Sequence, residues 1–241
     1  MKLSVVIITR NEAHNIQACL ESVKWCDEAI IVDCMSADAT PAIARDMGAR
    51  VIQTEDWPGF GPQKNRAVDA ATGDWILSID ADERVSPALR DEILAAIASD
   101  SADGYEMPRL SQFCGRFIRH GGWYPDYVTR LVRRGQGRFS DALVHESLIV
   151  QGRLGRLREP LTHYSYRDYS DVLRKIDSYS SAGARQAFSR GDHVHQIGRH
   201  HPFPQARVGR HPLTKQAFDE LAPLLHTGKN DGALRMPRDP R

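Results

Sequence analysis

The first 100 residues of this chain alternate between short apolar runs and segments with helical spacing, and this alternation constrains the fold more than any other feature. The runs LSVVII, EAIIVD, ARVIQT and DWILSID are typical of strands buried on both faces of a sheet. Two of the helical segments begin with a capping residue and a proline, Thr40 before Pro41 and Ser86 before Pro87, and Gly73 is expected to close another. Repeated strand–helix units predict an α/β fold with a mostly parallel sheet flanked by helices.

The pattern changes after about residue 103. The stretches GYEMPRL, YVTRLVRR, VHESLIV and LTHYSY are short and β-rich, and they predict further antiparallel or mixed strands before a helix in SDVLRKIDSYSSAGARQAFSR. We therefore expect one α/β domain over residues 1–190, made of halves at 1–102 and 103–190. Residues 191–241 hold 6 of the 13 prolines and 6 of the 10 histidines, and we expect them to form a poorly ordered tail.

Composition excludes several classes of protein. The formal net charge is +1, so no overall field favours nucleic acid as a partner. The four cysteines form no C-x-x-C pair, which indicates reduced thiols and argues against a disulfide framework or a zinc site. No apolar run reaches the ~18 residues of a membrane-spanning helix, and the run at residues 3–8 is too short for a signal-peptide core. We expect a cytoplasmic protein, with peripheral contact at the inner membrane left open.

Polar residues follow three of the predicted strands at the point where each strand ends. The carboxyl ends of strands in an open α/β sheet form the ligand crevice, so we expect these residues to converge. An Asp-x-Asp pair, here Asp80 and Asp82, offers the hard oxygen ligands that Mg²⁺ or Mn²⁺ prefer, especially when a substrate diphosphate supplies the others. Taken alone, the pair is equally well an ordinary acidic turn. The residues at the strand ends are Thr9, Asn11, Glu12, Asp33, Asp80 and Asp82.

Three further side chains suit a nucleotide. Asp33 is placed to accept hydrogen bonds from a base or a ribose, while Lys64 and Arg66 lie near the start of the third predicted helix, where they can contact phosphate oxygens. Neither G-x-x-x-x-G-K-[ST] nor G-x-G-x-x-G is present, so a P-loop or a dinucleotide-binding site has no motif behind it.

Four stretches in this order and spacing resemble family-2 glycosyltransferases of the GT-A fold: VVIITRNEAHNIQACLESV, IIVDCMSADAT, GPQKNRAVDAATGDWILSIDADE and VHESL. Within the family, the chain is most similar to bacterial lipopolysaccharide-core enzymes that add a β-linked glucose to a core heptose. The resemblance implies a Rossmann-like GT-A domain whose first half binds a nucleotide-sugar, such as UDP-glucose. It also implies a divalent metal, inversion at the anomeric carbon, and a lipopolysaccharide-core or other lipid-linked acceptor bound by the second half.

The resemblance also assigns roles in the first half. Thr9, Asn11 and Glu12 match the first nucleotide-contact loop, and Asp33 matches the aspartate that holds the uracil and ribose region. The last acid of the Asp-x-Asp motif, Asp82, is the usual direct metal ligand, and Asp80 lies on the nucleotide side. Glu83, the acid that follows, is expected to support the site or to face the acceptor, and it receives no specific role.

In the second half, an inverting transfer needs one general base to deprotonate the acceptor hydroxyl. The resemblance implies an Asp or Glu, for which Glu146 in VHES is our choice and Asp126 in GGWYPDYVTR the alternative; Glu146 is otherwise a solvent-facing strand residue or an ion-pair partner of an arginine. His163 in LTHYSY matches a late histidine that completes the metal shell in some GT-A enzymes.

Two other functions stay open at this stage. Nucleotidyltransferases also place strand-end acids on Mg²⁺, but they typically carry a glycine-rich loop after the first strand, where this chain has TRNEAHN. A non-catalytic protein that keeps the GT-A fold is the second alternative. It arises because the His- and Pro-rich tail departs from the apolar or amphipathic helices that follow the domain in related enzymes.

Overall fold

A computed structural model of the protein describes residues 1–140, 146–170 and 172–173. The first half follows the predicted alternation of strands and helices: β1 (Leu3–Thr9), α1 (Ala13–Val23), β2 (Glu28–Cys34), α2 (Thr40–Asp46), β3 (Arg50–Thr54), α3 (Phe60–Ala70), β4 (Trp75–Ser78), β5 (Glu83–Arg84) and α4 (Pro87–Ser99). The second half contributes strands: β6 (Gly104–Phe113), β7 (Arg116–Phe117), β8 (Asp126–Arg133), β9 (Gly137–Phe139), β10 (Leu148–Val150), β11 (Leu154–Arg156) and β12 (Leu161–Tyr166).

The main sheet has the strand order β3-β2-β1-β4-β8-β6-β12-β5. Strands β1 to β4 are mutually parallel where they pair, as the sequence predicts. Strand β8 is antiparallel to both β4 and β6, so β6 and its parallel neighbour β12 run in the same direction as β4. The carboxyl ends of β1, β2, β4, β6 and β12 therefore meet at one edge of the sheet, which brings residues of both halves together.

Successive side chains of the central strands point to opposite faces of the sheet, and apolar side chains are buried on both faces. Val5 and Ile7 of β1 belong to a core cluster with α1 and α4, whereas Val6 belongs to a second cluster with α3. Removing a buried aliphatic side chain such as that of Ile7 costs roughly 2–5 kcal/mol, so both clusters contribute strongly to folding. Helices on both faces of a mostly parallel sheet confirm the predicted fold class.

The helix boundaries follow the predicted signals in part. The Ser86 hydroxyl accepts the backbone N–H of Leu89 at 3.1 Å, so the predicted cap of α4 is confirmed. The prediction for Thr40 is wrong, because α2 has Ala39 at its N-cap and the Thr40 hydroxyl accepts the N–H of Glu12 at 2.8 Å. Gly73 does not close α3; a Cβ at this position would lie 2.8 Å from the backbone nitrogen of Ser4, so glycine here permits a close approach to β1.

The predicted helix near residues 170–190 and the predicted tail at 191–241 lie outside the described residues, apart from 170 and 172–173. Among the described residues, no helix is long and apolar enough to cross a membrane.

Candidate functional site

The loops that follow β1 and β2 are joined by reciprocal hydrogen bonds. Asp33, which is fully buried, accepts the hydroxyl protons of Thr9 at 2.8 Å and Ser36 at 2.5 Å. The backbone N–H of Asn11 donates to the Ser36 hydroxyl at 2.8 Å, and the Asn11 side-chain oxygen accepts the N–H of Ala37 at 2.8 Å. These hydrogen bonds, including that of the Asn11 side chain, join the two loops into one wall of the site at the strand ends.

Glu12 lies at the start of α1, beside this wall. Its backbone N–H donates to Thr40, and its carboxylate accepts the side-chain N–H of Asn15 at 2.9 Å. The first nucleotide-contact loop predicted from the sequence is thus brought against the loop after β2, as expected for neighbouring parallel strands.

Asp80, at the end of β4, lies between two cations. Its carboxylate oxygens are 2.8 Å from Nζ of Lys64 and 2.6 Å from Nη2 of Arg130. Burial acts to raise the pKa of Asp80, but the charges of Arg130 and Lys64 outweigh it and hold that pKa well below its ordinary value. Asp80 is therefore an anion at neutral pH, and its charge is already compensated by protein groups.

Asp82 and His163 form a second pair at the same edge. Oδ2 of Asp82 lies 3.4 Å from Nε2 of His163, and their side chains are 20% and 14% exposed. Nδ1 of His163 is 3.0 Å from the Ser111 hydroxyl, which fixes the ring with Nε2 toward Asp82. The backbone N–H of Tyr164 donates to the carbonyl of Asp82 at 2.8 Å, so β12 also ties the two residues together.

This pair is the part of the site that suits a divalent cation. Carboxylate oxygen and imidazole nitrogen are both acceptable ligands for Mn²⁺, and the side chains retain some exposure to a ligand. No group of three or more His, Cys, Asp or Glu side chains that could hold a metal ion occurs in the described ranges. The donor set therefore fits an ion that takes its remaining ligands from a diphosphate or water, and does not fit a cage made by protein alone.

Lys64 connects the two halves of the protein. It projects from α3, its side chain is only 4% exposed, and its Nζ lies 2.9 Å from Oε1 of Glu146 as well as 2.8 Å from Asp80. Glu146 belongs to the second half and Asp80 to the first. The predicted catalytic carboxylate and the predicted nucleotide-side carboxylate thus share one buried ammonium group.

Arg66 is directed toward the loop that follows β3 and not toward Asp80 and Asp82. Residues 64 and 66 lie on different faces of α3, because positions two apart on a helix do not face the same way. The guanidinium of Arg66 instead donates two hydrogen bonds to the exposed carboxylate of Asp56, at 2.8 and 2.7 Å. Of the two cations predicted near the phosphate, the structure places only Lys64 among the strand-end acids.

Asp126, the alternative base, is held by an arginine. Oδ2 of Asp126 accepts hydrogen bonds from Nε of Arg109 at 3.0 Å and from Nη2 at 2.6 Å. Nη1 of Arg109 also lies 3.9 Å from the carboxylate of Glu83. Asp126 is therefore oriented by the guanidinium of Arg109, which donates two hydrogen bonds to one of its oxygens.

Glu83 is a site residue to which sequence reasoning assigned no role. It has no exposed surface, and it accepts the backbone N–H of Asp80 at 2.9 Å and an N–H of Arg130 at 2.7 Å. The sequence contained a partial signal, because Glu83 follows Asp80 by three residues at the end of a buried strand. This is the spacing of the first and fourth residues of a β-turn, which are often hydrogen-bonded. Its contacts with Arg130 and Arg109 come from distant strands and leave no local pattern.

Comparison with known proteins identifies the family. The model of the family "Glycosyl transferase family 2" matches residues 4–157. This chain belongs to glycosyl transferase family 2. An uncharacterized glycosyltransferase of Rickettsia felis is 35% identical over 207 residues, which cover 79% of this chain and 71% of the relative. The lipopolysaccharide core biosynthesis glycosyltransferase LpsC of Rhizobium meliloti is 34% identical over 205 residues, which cover 79% of this glycosyltransferase and 73% of LpsC.

A solved structure supports the fold. The crystal structure of residues 1–349 of TarS from S. aureus superposes with a TM-score of 0.53 at 20% identity, covering 68% of this glycosyltransferase and 61% of the TarS chain. At this identity the likeness concerns the fold alone, and it agrees with the GT-A-like arrangement of a mostly parallel sheet between helices. The chain thus spans about three fifths of that solved structure.

Proposed function

We propose that this family-2 glycosyltransferase is an inverting, metal-dependent enzyme that moves a hexose from a nucleotide-sugar to a cell-envelope glycan. UDP-glucose is the proposed donor and a lipopolysaccharide-core structure the proposed acceptor, in keeping with the name of LpsC. The observation that carries the proposal is the shared contact of Lys64 with Asp80 and Glu146. It puts a carboxylate of the second half beside the strand-end acids of the first, as a transfer between two bound substrates requires.

The wall formed by the first two loops is suited to the nucleoside. Thr9 and Ser36 fix the buried carboxylate of Asp33, so its orientation is set before a ligand arrives. A preorganised loop binds a ligand without the cost of ordering at the moment of binding. Asp33 has no exposed surface, so it is proposed to act on the base and ribose region through the Ser36 loop that it holds, with Asn11 and Glu12 supporting that loop.

The diphosphate is proposed to lie beside Asp82 and His163. These two residues would hold Mg²⁺ or Mn²⁺, which when bound neutralises the charge of the departing diphosphate. Ser111 supports this arrangement by fixing the His163 ring. Lys64 and Arg130 partly neutralise the carboxylates of Asp80, Glu83 and Glu146, which reduces the repulsion between these acids and the diphosphate.

Glu146 is proposed as the general base. It takes the proton from the acceptor hydroxyl while that oxygen forms a bond to the anomeric carbon, from the face opposite the diphosphate. The bond between the anomeric carbon and the phosphate oxygen breaks, and the nucleoside diphosphate leaves with the bonding electrons. Asp126 is less suited to the role, because two N–H groups of Arg109 are directed at one of its oxygens. The pairing with Arg109 suggests instead that Asp126 orients groups on the acceptor side.

The proposed setting is the cytoplasmic side of the inner membrane. A lipid-linked acceptor requires peripheral contact with that membrane. No nucleic acid takes part in the proposed reaction.

The test is a direct assay of donor use. The protein is incubated with UDP-glucose and Mn²⁺, and UDP release is measured with and without a heptose-containing core acceptor. We expect slow release without acceptor and much faster release with it, and product analysis should show a β-linked sugar. If the protein neither binds nor hydrolyses UDP-glucose, this donor is wrong, and other nucleotide-sugars are tested in the same way before the catalytic proposal itself is rejected.

A further inference from the structure

We propose that Glu83 is a positioning residue of the donor site, which fixes the turn at Asp80 to Asp82 and balances the charge of Arg130. The inference rests on the proposed function, because it concerns how a nucleotide diphosphate and a divalent cation are held together. A carboxylate without exposed surface is costly to the fold unless its charge is compensated and its oxygens are hydrogen-bonded. Glu83 meets both conditions through groups that belong to the site.

The two oxygens of Glu83 have separate partners. Oε2 accepts the backbone N–H of Asp80 at 2.9 Å, and Oε1 accepts from Nη2 of Arg130 at 2.7 Å. The backbone N–H of Glu83 donates in return to the carbonyl of Asp80 at 2.9 Å. The turn that carries Asp82 is therefore closed by two hydrogen bonds, both of which end on Glu83.

The backbone of Glu83 also sets the position of the metal-facing pair. Glu83 in β5 lies opposite His163 in the antiparallel pairing with β12. One residue earlier, the carbonyl of Asp82 accepts the N–H of Tyr164 at 2.8 Å. The distance between Asp82 and His163 therefore depends on the short pairing of β5 with β12. The Glu83 side chain holds β5 in place through its hydrogen bonds with Asp80, after β4, and Arg130, in β8.

The charge of Glu83 affects cations and anions in opposite ways. The guanidinium of Arg130, whose side chain is 7% exposed, is shared between the carboxylates of Asp80 and Glu83. Without the charge of Glu83, Arg130 and Lys64 would face only the carboxylates of Asp80 and Glu146, and the potential at Asp82 would become more positive. A more positive potential weakens the binding of a metal cation and strengthens the binding of a phosphate anion. Glu83 thus favours occupancy of the site by the cation together with the diphosphate.

The effect of Mn²⁺ on UDP affinity distinguishes the charge-balancing role of Glu83 from a general loss of structure. Binding of UDP is measured by calorimetry with and without MnCl₂ for the wild type, Glu83→Gln and the control Glu106→Gln. Glu106 also pairs with an arginine, at 2.7 Å from Nε of Arg156, but outside the site. In Glu83→Gln we expect the enhancement of UDP affinity by Mn²⁺ to fall on the order of tenfold, while metal-free UDP affinity is unchanged or higher. A disordered site would weaken both affinities, and an unchanged enhancement would overturn the charge-balancing role.

A second measurement needs no ligand. Amide hydrogen exchange of the segment around residue 80 is compared between Glu83→Ala and Glu106→Ala. The Asp80 amide should exchange faster in Glu83→Ala, because its acceptor has been removed, and at the wild-type rate in Glu106→Ala. Equal exchange in both variants would overturn the fixing of the turn. If the wild type itself binds no UDP, the proposed donor is rejected, whereas the exchange result still decides whether Glu83 positions Asp80.

Discussion

Nζ of Lys64 lies 2.9 Å from the carboxylate of Glu146, and the same ammonium group lies 2.8 Å from Asp80. A buried cation between two carboxylates joins the strand-end acids of the first half to Glu146 of the second half. The lysine side chain is 4% exposed, so its charge depends on these two acids for compensation. The contact therefore has consequences for both stability and transfer.

Replacing Lys64 by methionine should destabilise the fold by about 3 kcal/mol, because it removes a buried cation shared by the carboxylates of Asp80 and Glu146. Urea unfolding at neutral pH measures the change. Lys24 provides a matched control, since it pairs with Glu21 on the exposed face of α1 and its side chain is 70% exposed. Lys24→Met should cost less than about 1 kcal/mol. Equal losses in the two variants would contradict the structural importance of Lys64.

The choice between the two candidate bases can be decided by amide substitutions. Glu146→Gln should lower kcat by roughly 10²–10⁴-fold and leave the affinity for UDP nearly unchanged, because general base catalysis contributes at the transition state. Asp126→Asn should lower kcat less and raise KM for the acceptor, because the pairing with Arg109 is weakened but the base remains. Steady-state kinetics with varied acceptor measure both. A large kcat loss in Asp126→Asn with retained turnover in Glu146→Gln would assign the base to Asp126.

The proposed metal ligands Asp82 and His163 lead to a prediction on cation dependence. A chelator such as EDTA should abolish transfer, and added Mn²⁺ should restore it. Asp82→Asn and His163→Ala should both raise the Mn²⁺ concentration needed for half-maximal activity, with a smaller rise in Ser111→Ala, which loses only the contact that orients the ring. Changes of ligand-supporting residues typically cost ~10–100-fold in metal affinity. Mn²⁺ titration of activity, together with the electron paramagnetic resonance signal of free Mn²⁺, provides the measurement. Unchanged Mn²⁺ affinity in Asp82→Asn would show that the ion binds elsewhere.

The sequence predicts those parts of the fold that are encoded locally. Buried parallel strands read as continuous apolar runs, so β1 to β4 and their helices are evident. The strands β5 and β11 have only two or three residues each, and they form because distant partners supply the hydrogen bonds. Such pairings have no periodicity that a single sequence can display.

The same distinction applies to the site. The positions of Asp33, Asp80 and Asp82 at one edge could be predicted because each lies at or shortly after the end of a buried strand, and the topology brings those strand ends together. The roles of Glu83 and Arg109 could not, since they depend on side chains that meet across β5, β6 and β8. The different directions of Lys64 and Arg66 could also be predicted, because residues two positions apart on a helix do not face the same way.

Glu28 is the first residue of β2, away from the strand-end acids, and it affects stability in acid. Partial burial acts to raise the pKa of Glu28, but hydrogen bonds from Ser4 and Thr72 lower it below its ordinary value of 4.5. Because the folded pKa is the lower one, this contribution to stability is fully present above the unfolded pKa and is lost as the pH falls through the folded pKa.

Glu28→Gln should therefore destabilise the protein by about 1 kcal/mol at pH 7, the usual net value of such hydrogen bonds, and by progressively less as the pH falls below 4.5. Denaturant unfolding at a series of pH values measures the difference between variant and wild type. Glu21→Gln is the control, since the Glu21 side chain is 58% exposed and should show no comparable loss at pH 7. A Glu28→Gln difference that stays constant between pH 7 and pH 3 would show that the lost stability comes from packing and not from the charge of Glu28.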